Sequence, residues 1–495
     1  MSHKRTIVAL TFLLLSACSN QNIRYSSLSS EHLQGSGKTA ECARLFAEID
    51  GKVWSEGKAD AQSARIAGFP YLRVNRLLAE LKHSLTPDMF TDWFIQMRKL
   101  AQEARHHELQ NVLSFDDKED IEEKLNNCAS ILMQADLGDP ARLEKLVKAA
   151  VVPDSYITTN RILGFYFISR VFVNNGIRNL HDQIKTTFSN SLSEKNHAQR
   201  ESYRPDTTAN VSFSDIRKLL SQTPRDKLSI PVFDRPAEER LFEYYAPVWE
   251  LEVKDRNDLF GSPAWFGERD IAVETNMAKT YRHLSYVKLN NEILTQLNYV
   301  IWFPSRPPRS KFDILSGNVD GLTWRVTIAG NGKVLMYDVM HNCGCYHMFF
   351  PPKNVHARIQ ESNVSEEALL VPQSAPDLEE GERIHVSIMS GSHYLNALSS
   401  GPENEKHKIY HFTDYEELRS LPMKNGQRRS MFDDKGIVPG TSRKERLVLW
   451  PMGVKDAGAM RQWGHHATAF IGRRHFDDAD LLKRYFEFPE TGESP

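Results

Sequence analysis

Residues 322–340, with the sequence LTWRVTIAGNGKVLMYDVM, decide the fold of the C-terminal half of the chain. Apolar and polar side chains alternate from Leu322 to Ile328, which is the period of a β-strand. The glycine-rich connection at 329–333 suits a hairpin loop, and 334–340 supplies the returning strand. Arg383 to Ser390 alternates in the same way. These stretches predict a mostly antiparallel, β-rich C-terminal domain with some helix.

The N-terminal half has a helical period instead. Apolar side chains recur at i, i+3, i+4 and i+7 from Cys42 to Ile49, and later stripes repeat this spacing. The whole chain is therefore predicted to be an α+β protein. We place a helical domain at 39–191, a linker at 192–235, which begins with polar and aperiodic residues, and the β-rich domain at 236–495.

One apolar stretch in the helical part is a candidate for contact with a membrane. Ile162 to Val173 is too short to span a bilayer and contains Arg170. We interpret it as a helix that is buried in the core of the domain. The sequence then leaves the N-terminus as the one predicted membrane attachment.

The N-terminus has the three regions of an export signal. Residues 1–17 combine a basic start, an apolar stretch from Thr6 to Ala17 and small residues directly before Cys18. The run Leu15-Ser16-Ala17-Cys18 resembles the lipobox of bacterial lipoproteins. A plain secretory signal with a chance cysteine is the alternative.

The lipobox resemblance implies a lipid anchor and an address. Cleavage would fall before Cys18, whose sulfur would carry diacylglycerol and whose new amino group would be acylated. Ser19 stands where lipoproteins of the inner membrane usually carry Asp, so the implied location is the outer membrane, facing the periplasm. Residues 18–38 are polar and would form the tether between the lipid and the first domain.

Two further cysteines lie on apolar helix faces of the helical domain. An exported protein folds in an oxidising compartment, where Cys42 and Cys128 can form a disulfide. Closing so long a loop would stabilise the fold by about 4 kcal/mol in the chain-entropy model. The alternative is two unpaired thiols that pack as small apolar side chains.

The strongest chemical signal follows the hairpin directly. His341, Cys343, Cys345 and His347 occupy alternate positions, and imidazole and thiolate are preferred ligands of zinc and copper. A straight strand would spread them over about 20 Å, so one shared metal requires a bend, which Gly344 permits. A Cys343–Cys345 disulfide and a pair of unremarkable thiols are the competing interpretations.

A second candidate region lies near the C-terminus. The stretch from Trp463 to Asp478 is dense in histidine, arginine and aromatic residues around Gly464. Such a stretch can line a pocket, and the competing interpretation is a solvated loop before the last helix. No complete catalytic signature is present in the chain, so we assign no catalytic residue.

The composition limits the function classes. With 62 basic and 64 acidic residues, the net charge gives no sign of binding to nucleic acid or to an anionic lipid surface. The leading prediction is an outer-membrane lipoprotein with a binding or structural role. Its partners would be the membrane, through the lipid, and a protein or envelope component that the sequence does not identify. A periplasmic metal-dependent or thiol-redox enzyme is the alternative.

Replacing Cys18 by Ala should abolish acylation, because the thiol and the cleavage position are lost together. The measurement is incorporation of labelled fatty acid, followed by membrane fractionation. Cys345→Ala is the matched control, since this cysteine lies outside the signal. Undiminished labelling of the Cys18→Ala chain would refute the lipobox interpretation.

Overall fold

The computed structural model describes residues 31–112, 116–193, 200–207, 211–267, 270–358, 365–403 and 406–489. Cys18 and the predicted signal lie outside the described residues. The chain divides into two units, the first made of residues 1–59 with 63–152 and the second of 60–62 with 153–495. The α+β class predicted from the sequence is confirmed, with a helical N-terminal region and a large mixed sheet.

The first unit is mainly helical. Its helices are α1 (Lys38–Ser55), α2 (Arg76–Leu81), α3 (Phe90–Asn111), α4 (Lys118–Leu137) and α5 (Pro140–Ala149), and its strands are β1 (Ala64–Ile66) and β2 (Phe69–Val74). The apolar stripe of α1, including Phe46 and Ile49, is buried as its period predicts. Helix α5 begins at Pro140 because the side chain of Asp139 caps it, accepting from the Ala141 N–H at 2.9 Å.

Cys42 on α1 and Cys128 on α4 form the disulfide that the sequence favoured, with a sequence separation of 86. The same unit buries a charged cluster around Glu108. Burial alone would raise the pKa of Glu108, but the guanidinium groups of Arg65, Arg73 and Arg105 outweigh it and lower that pKa. The disulfide and the cluster hold the helices of a small unit together.

The second unit is built on one mixed sheet with the strand order β11-β10-β9-β8-β7-β15-β3-β4-β13-β14. Its strands are β3 (Arg200–Pro205), β4 (Val248–Glu252), β5 (Ser262–Trp265), β6 (Ile271–Glu274), β7 (Lys279–Leu289), β8 (Glu292–Arg306), β9 (Gly317–Ile328), β10 (Val334–His341), β11 (Met348–Phe350), β12 (His356–Ala357), β13 (Glu382–Ile388), β14 (Leu395–Pro402), β15 (Lys408–Asp414), β16 (Leu421–Pro422), β17 (Arg428–Arg429) and β18 (Phe486–Glu487). Its helices are α6 (Thr158–Leu163), α7 (Tyr166–Ser193), α8 (Phe213–Gln222), α9 (Arg235–Tyr244), α10 (Arg446–Leu449) and α11 (Leu481–Tyr485). Among the described residues, no helix is both long enough and apolar enough to cross a bilayer.

The hairpin predicted at 322–340 is confirmed as β9 and β10. The two strands pair antiparallel, with Arg325 opposite Asp338, and the loop closes through a hydrogen bond from the Ala329 N–H to the Lys333 carbonyl at 2.9 Å. The polar face of β9 is buried as well as the apolar face. Buried polar side chains such as Thr323 and Arg325 therefore need partners inside the protein.

The division between the units differs from the boundaries read from the sequence. Helices α6 and α7 were placed in a helical domain ending at 191, but they belong to the second unit. The segment predicted as a linker at 192–235 contains β3 and α8. The reason is long-range packing: Phe188 of α7 lies in the core beside the sheet, with its ring 5.8 Å from that of Phe350. A helical period shows an apolar face but does not show which core covers it.

Candidate functional site

The candidate site begins where β10 ends. Beyond His341 the chain turns back, with the Gly344 N–H donating to the His341 carbonyl at 2.7 Å and the His341 N–H donating to the Cys345 carbonyl at 3.0 Å. Gly344 has a φ of 92°, and a Cβ there would lie 2.5 Å from the carbonyl oxygen of Ala467. Glycine is therefore required at this bend, which sits between the two cysteines.

Cys343 and Cys345 are free thiols that hydrogen-bond to each other. This hydrogen bond lowers the pKa of the Cys343 thiol, against the opposing effect of burial. The same hydrogen bond, together with burial, raises the pKa of Cys345 well above its ordinary value. Cys343 is therefore the thiol that ionises first, with Cys345 as the donor to its sulfur.

The two histidines of the predicted metal site lie near different carboxylates. His347 Nε2 lies 2.8 Å from Asp338 Oδ2, and His341 Nδ1 lies 3.6 Å from Asp320 Oδ1. In the described part of the chain, no group of three or more histidine, cysteine or acidic side chains is arranged to hold a metal ion. The structure therefore does not bring the side chains of His341, Cys343, Cys345 and His347 together as one ligand set. The turn brings the two thiols together, whereas each imidazole lies near a different buried carboxylate.

A cavity of about 280 Å³ lies beside the thiol pair. This volume is near the lower end of the range for ligand pockets, roughly 300–1,000 Å³. Its apolar walls come from α7, from α10 and from the segment just before β9. The side chains are those of Val173, Ile177, Leu180, Val448, Leu449 and Ile314. Of these, Ile314 and Val448 are exposed, so they mark the opening of the cavity.

A polar cluster lines the same cavity. Arg474 Nη2 lies 3.7 Å from Glu367 Oε1 and donates to the Thr468 carbonyl at 3.3 Å. Three buried nitrogen atoms of the cluster have no hydrogen-bond partner: Nε and Nη1 of Arg474, and Nδ1 of His347. Leaving a buried charged donor without an acceptor costs on the order of 1–3 kcal/mol or more, so the two Arg474 nitrogen atoms suit a ligand that brings acceptors.

The cluster combines the guanidinium of Arg474 with a neutral imidazole. Burial lowers the pKa of His347 to about 4, although Asp338 opposes the shift. The imidazole is therefore neutral at neutral pH and, with Nε2–H donated to Asp338, presents a lone pair at Nδ1. Burial also raises the pKa of Glu367, against the attraction of Arg474. Among the residues that line the cavity, all of them described, Arg474 is the only arginine and there is no lysine.

The sequence indicated part of this site. The stretch from Trp463 to Asp478 contributes Ala467, Phe470 and Arg474 to the cavity, as its composition allowed. The walls supplied by α7 and the acid Glu367 were missed. The apolar stretch that begins at Ile162 could have indicated the wall supplied by α7, but the same stretch also fits a helix buried in a core.

A larger cavity in the second unit is lined by polar groups that already have partners or are exposed. It has a volume of about 1,100 Å³ and is lined by residues that include Tyr245, Pro376 and Arg383. Among its lining residues, all of them described, no buried side-chain nitrogen or oxygen is without a hydrogen-bond partner. Arg383, for example, donates to the carbonyls of Glu243 and Tyr244. The smaller cavity is therefore the better candidate for a specific ligand.

No family model, curated protein or solved structure matches this chain.

Proposed function

We propose that the second unit binds an amphiphile with an acyl chain and a carboxylate head, of the fatty-acid class. One observation carries the proposal: an apolar cavity contains a buried guanidinium, that of Arg474, with two nitrogen atoms that have no hydrogen-bond partner. An apolar ligand alone would leave those donors unsatisfied, and a polar ligand alone would leave the apolar walls uncovered. An amphiphile satisfies both requirements.

The head of the ligand is recognised by Arg474. A carboxylate accepts two parallel hydrogen bonds from a guanidinium, which is the strong, bidentate form of this contact. Glu367 lies beside the same guanidinium, with its Oε1 3.7 Å from Nη2 of Arg474, so Nε and Nη1 of Arg474 are left for the ligand. The His347 Nδ1 lone pair accepts a hydrogen bond when the head is protonated or carries a hydroxyl.

The tail of the ligand lies against α7 and α10. Each methylene group that leaves water for these walls contributes about 0.8 kcal/mol. The opening at Ile314 and Val448 lets a chain longer than the cavity continue toward the surface. The affinity should therefore rise with chain length until the cavity is filled.

We further propose that the protein acts as a lipoprotein of the outer membrane, facing the periplasm. The support is the run from Leu15 to Cys18, with Ser19 behind it. A diacylated or triacylated N-terminus would keep the chain on a membrane. A binding protein for acyl amphiphiles would then act where such molecules are concentrated.

A second candidate function is thiol–disulfide exchange, favoured by the hydrogen-bonded pair Cys343 and Cys345 at the same cavity. The Cys343 thiolate would attack the disulfide of oxidised glutathione, forming a mixed disulfide and releasing one glutathione. Cys345 would then lose its proton, attack the Cys343 sulfur and release the second glutathione. The protein would end as a disulfide, and the glutathione disulfide would be reduced to two thiols.

The amphiphile proposal predicts that Arg474→Gln weakens palmitate binding by about tenfold to a hundredfold, since a charged hydrogen bond is lost. Hexadecanol, which lacks the carboxylate, should bind wild type and variant alike. The measurement is displacement of a fluorescent fatty acid, with Arg484→Gln as the matched control, because Arg484 is half-exposed and does not line the cavity.

A second variant separates loss of binding from loss of folding. Val173→Trp should fill the cavity near its opening and exclude palmitate and hexadecanol together, while the circular dichroism spectrum stays that of the wild type. Failure of the wild type to bind palmitate would refute the proposal. So would an Arg474→Gln chain that is folded and binds palmitate as tightly as the wild type.

The exchange proposal predicts different behaviour for the two thiols. In oxidised glutathione, Cys345→Ser should accumulate a glutathione adduct at Cys343, because the thiol that resolves the adduct is missing. Cys343→Ser should form its adduct more slowly, because the pKa of Cys345 is raised. Mass spectrometry of the intact chain measures both rates, and equal rates would contradict the assignment of Cys343 as the attacking thiol.

A further inference from the structure

The second unit exposes large apolar side chains on the segments that also line the cavity. The helices α6 and α7 and their junction expose apolar side chains from Ile162 to Phe172, the stretch that the sequence had placed in a core. Phe172 is 73% exposed, Leu447 of α10 is 70% exposed and Phe312 is 84% exposed. The interpretation of this stretch as a buried helix is therefore wrong. We call the surface formed by Leu163, Phe167, Phe172, Phe312, Leu447 and Val448 the apolar rim.

Hydrogen bonds connect the segments that form the apolar rim. The Ile157 N–H, just before α6, donates to the Gly453 carbonyl at 2.7 Å, close after α10. The Glu445 N–H, just before α10, donates to the Ile314 carbonyl at 3.1 Å, near Phe312. The cavity also lies between these segments, because Val173 of α7, Ile314 and Val448 of α10 all line it. The three segments that carry the apolar rim are therefore neighbours at the cavity, and the rim is not a set of scattered side chains.

The charges near the apolar rim are mostly positive. Between Tyr156 and His181 the charged residues are Arg161, Arg170 and Arg178, and no acid occurs before Asp182. The other two segments add four exposed basic residues, Arg309, Lys311, Lys444 and Arg446, against the acids Asp313 and Glu445, of which Glu445 is buried. A chain with a net charge of −2 thus concentrates cations around one apolar surface, a distribution that the total charge conceals.

We propose that the apolar rim is a membrane-docking surface that inserts into the interface of an anionic phospholipid bilayer. Exposed Phe and Leu side chains with arginine and lysine beside them are the composition of interfacial segments. Trp450, which is 41% exposed at the end of α10, belongs to a residue type that favours the headgroup region. The positive charges beside the apolar rim favour an anionic lipid surface over a neutral apolar protein surface as the partner. The inference goes beyond amphiphile binding, because docking does not require a filled cavity.

Docking gives the cavity a route to its ligand. With the apolar rim in the interface, the opening at Ile314 and Val448 faces the acyl-chain region instead of water. An amphiphile can then enter without exposing its tail to solvent. The predicted lipid on Cys18 would raise the local concentration of this surface at the membrane, but docking should also be measurable without the lipid.

The test uses the mature chain from residue 18 with Cys18→Ser, so that no acyl group contributes. It should sediment with vesicles of phosphatidylethanolamine and phosphatidylglycerol, and less with vesicles of phosphatidylcholine alone. The double variant Phe167→Ser, Phe172→Ser should lower the partition coefficient by about tenfold or more, because two phenyl rings are no longer buried. Both side chains are exposed, so the fold should not change.

The matched control is Phe266→Ser, which removes a phenyl ring that is 46% exposed in the same unit but outside the apolar rim. This control should bind vesicles as the wild type does. Absence of vesicle binding by the wild type overturns the proposal, and so does an equal loss in the control. A dimer that forms without lipid and is lost in the double variant would also overturn it, by assigning the rim to a second copy. Arg474→Gln should leave docking unchanged, which separates this proposal from amphiphile binding.

Discussion

The buried ion pair between Arg325 and Asp338 connects the parts from which the cavity is built. Arg325 Nε donates to Asp338 Oδ1 at 2.9 Å across the hairpin, and Asp338 Oδ2 lies 2.8 Å from His347 Nε2. Arg325 Nη1 donates to the Phe476 carbonyl at 2.6 Å, and its guanidinium lies 3.6 Å from the centre of the Phe476 ring. One buried pair thus orients the imidazole of the site and holds the segment that carries Arg474. Removing one partner of such a pair costs about 3–5 kcal/mol.

The hairpin that contains this pair could be predicted from sequence, but its role could not. Alternation from Leu322 to Ile328 indicates a strand whether its polar face meets solvent or protein. The polar face of β9 is buried, so Arg325 requires an acid, and Asp338 is opposite it in the register. Asp338 can be identified as the partner of Arg325 only when the register of β9 and β10 is known, because register depends on contacts between strands.

The candidate site shows the same limit. Four alternate positions from His341 to His347 suggested a common ligand set, and the bend at Gly344 is present. Spacing cannot show the distant residues that approach these side chains, here Asp320 near His341 and Asp338, which hydrogen-bonds to His347. The thiols remain adjacent because their contact is local. Local geometry could be predicted, and the partners brought by the tertiary fold could not.

The apolar stretch from Ile162 to Phe172 marks a further limit of periodicity. The same apolar pattern is found in helices that are buried in a core and in helices that lie on an interfacial surface, and the sequence alone does not distinguish the two. Taken together, the exposed rim, the cavity behind it and the unsatisfied guanidinium of Arg474 favour one account, in which the second unit takes up an acyl carboxylate at a membrane surface.

The most direct measurement is photo-crosslinking with palmitate that carries a diazirine at the end of its chain, followed by peptide mapping. If the acyl chain lies in the smaller cavity, adducts should form on residues 173–180 of α7 and on 445–454 around α10. Adducts in the larger cavity, around Tyr245 and Arg383, would contradict it, as would labelling spread evenly over the chain.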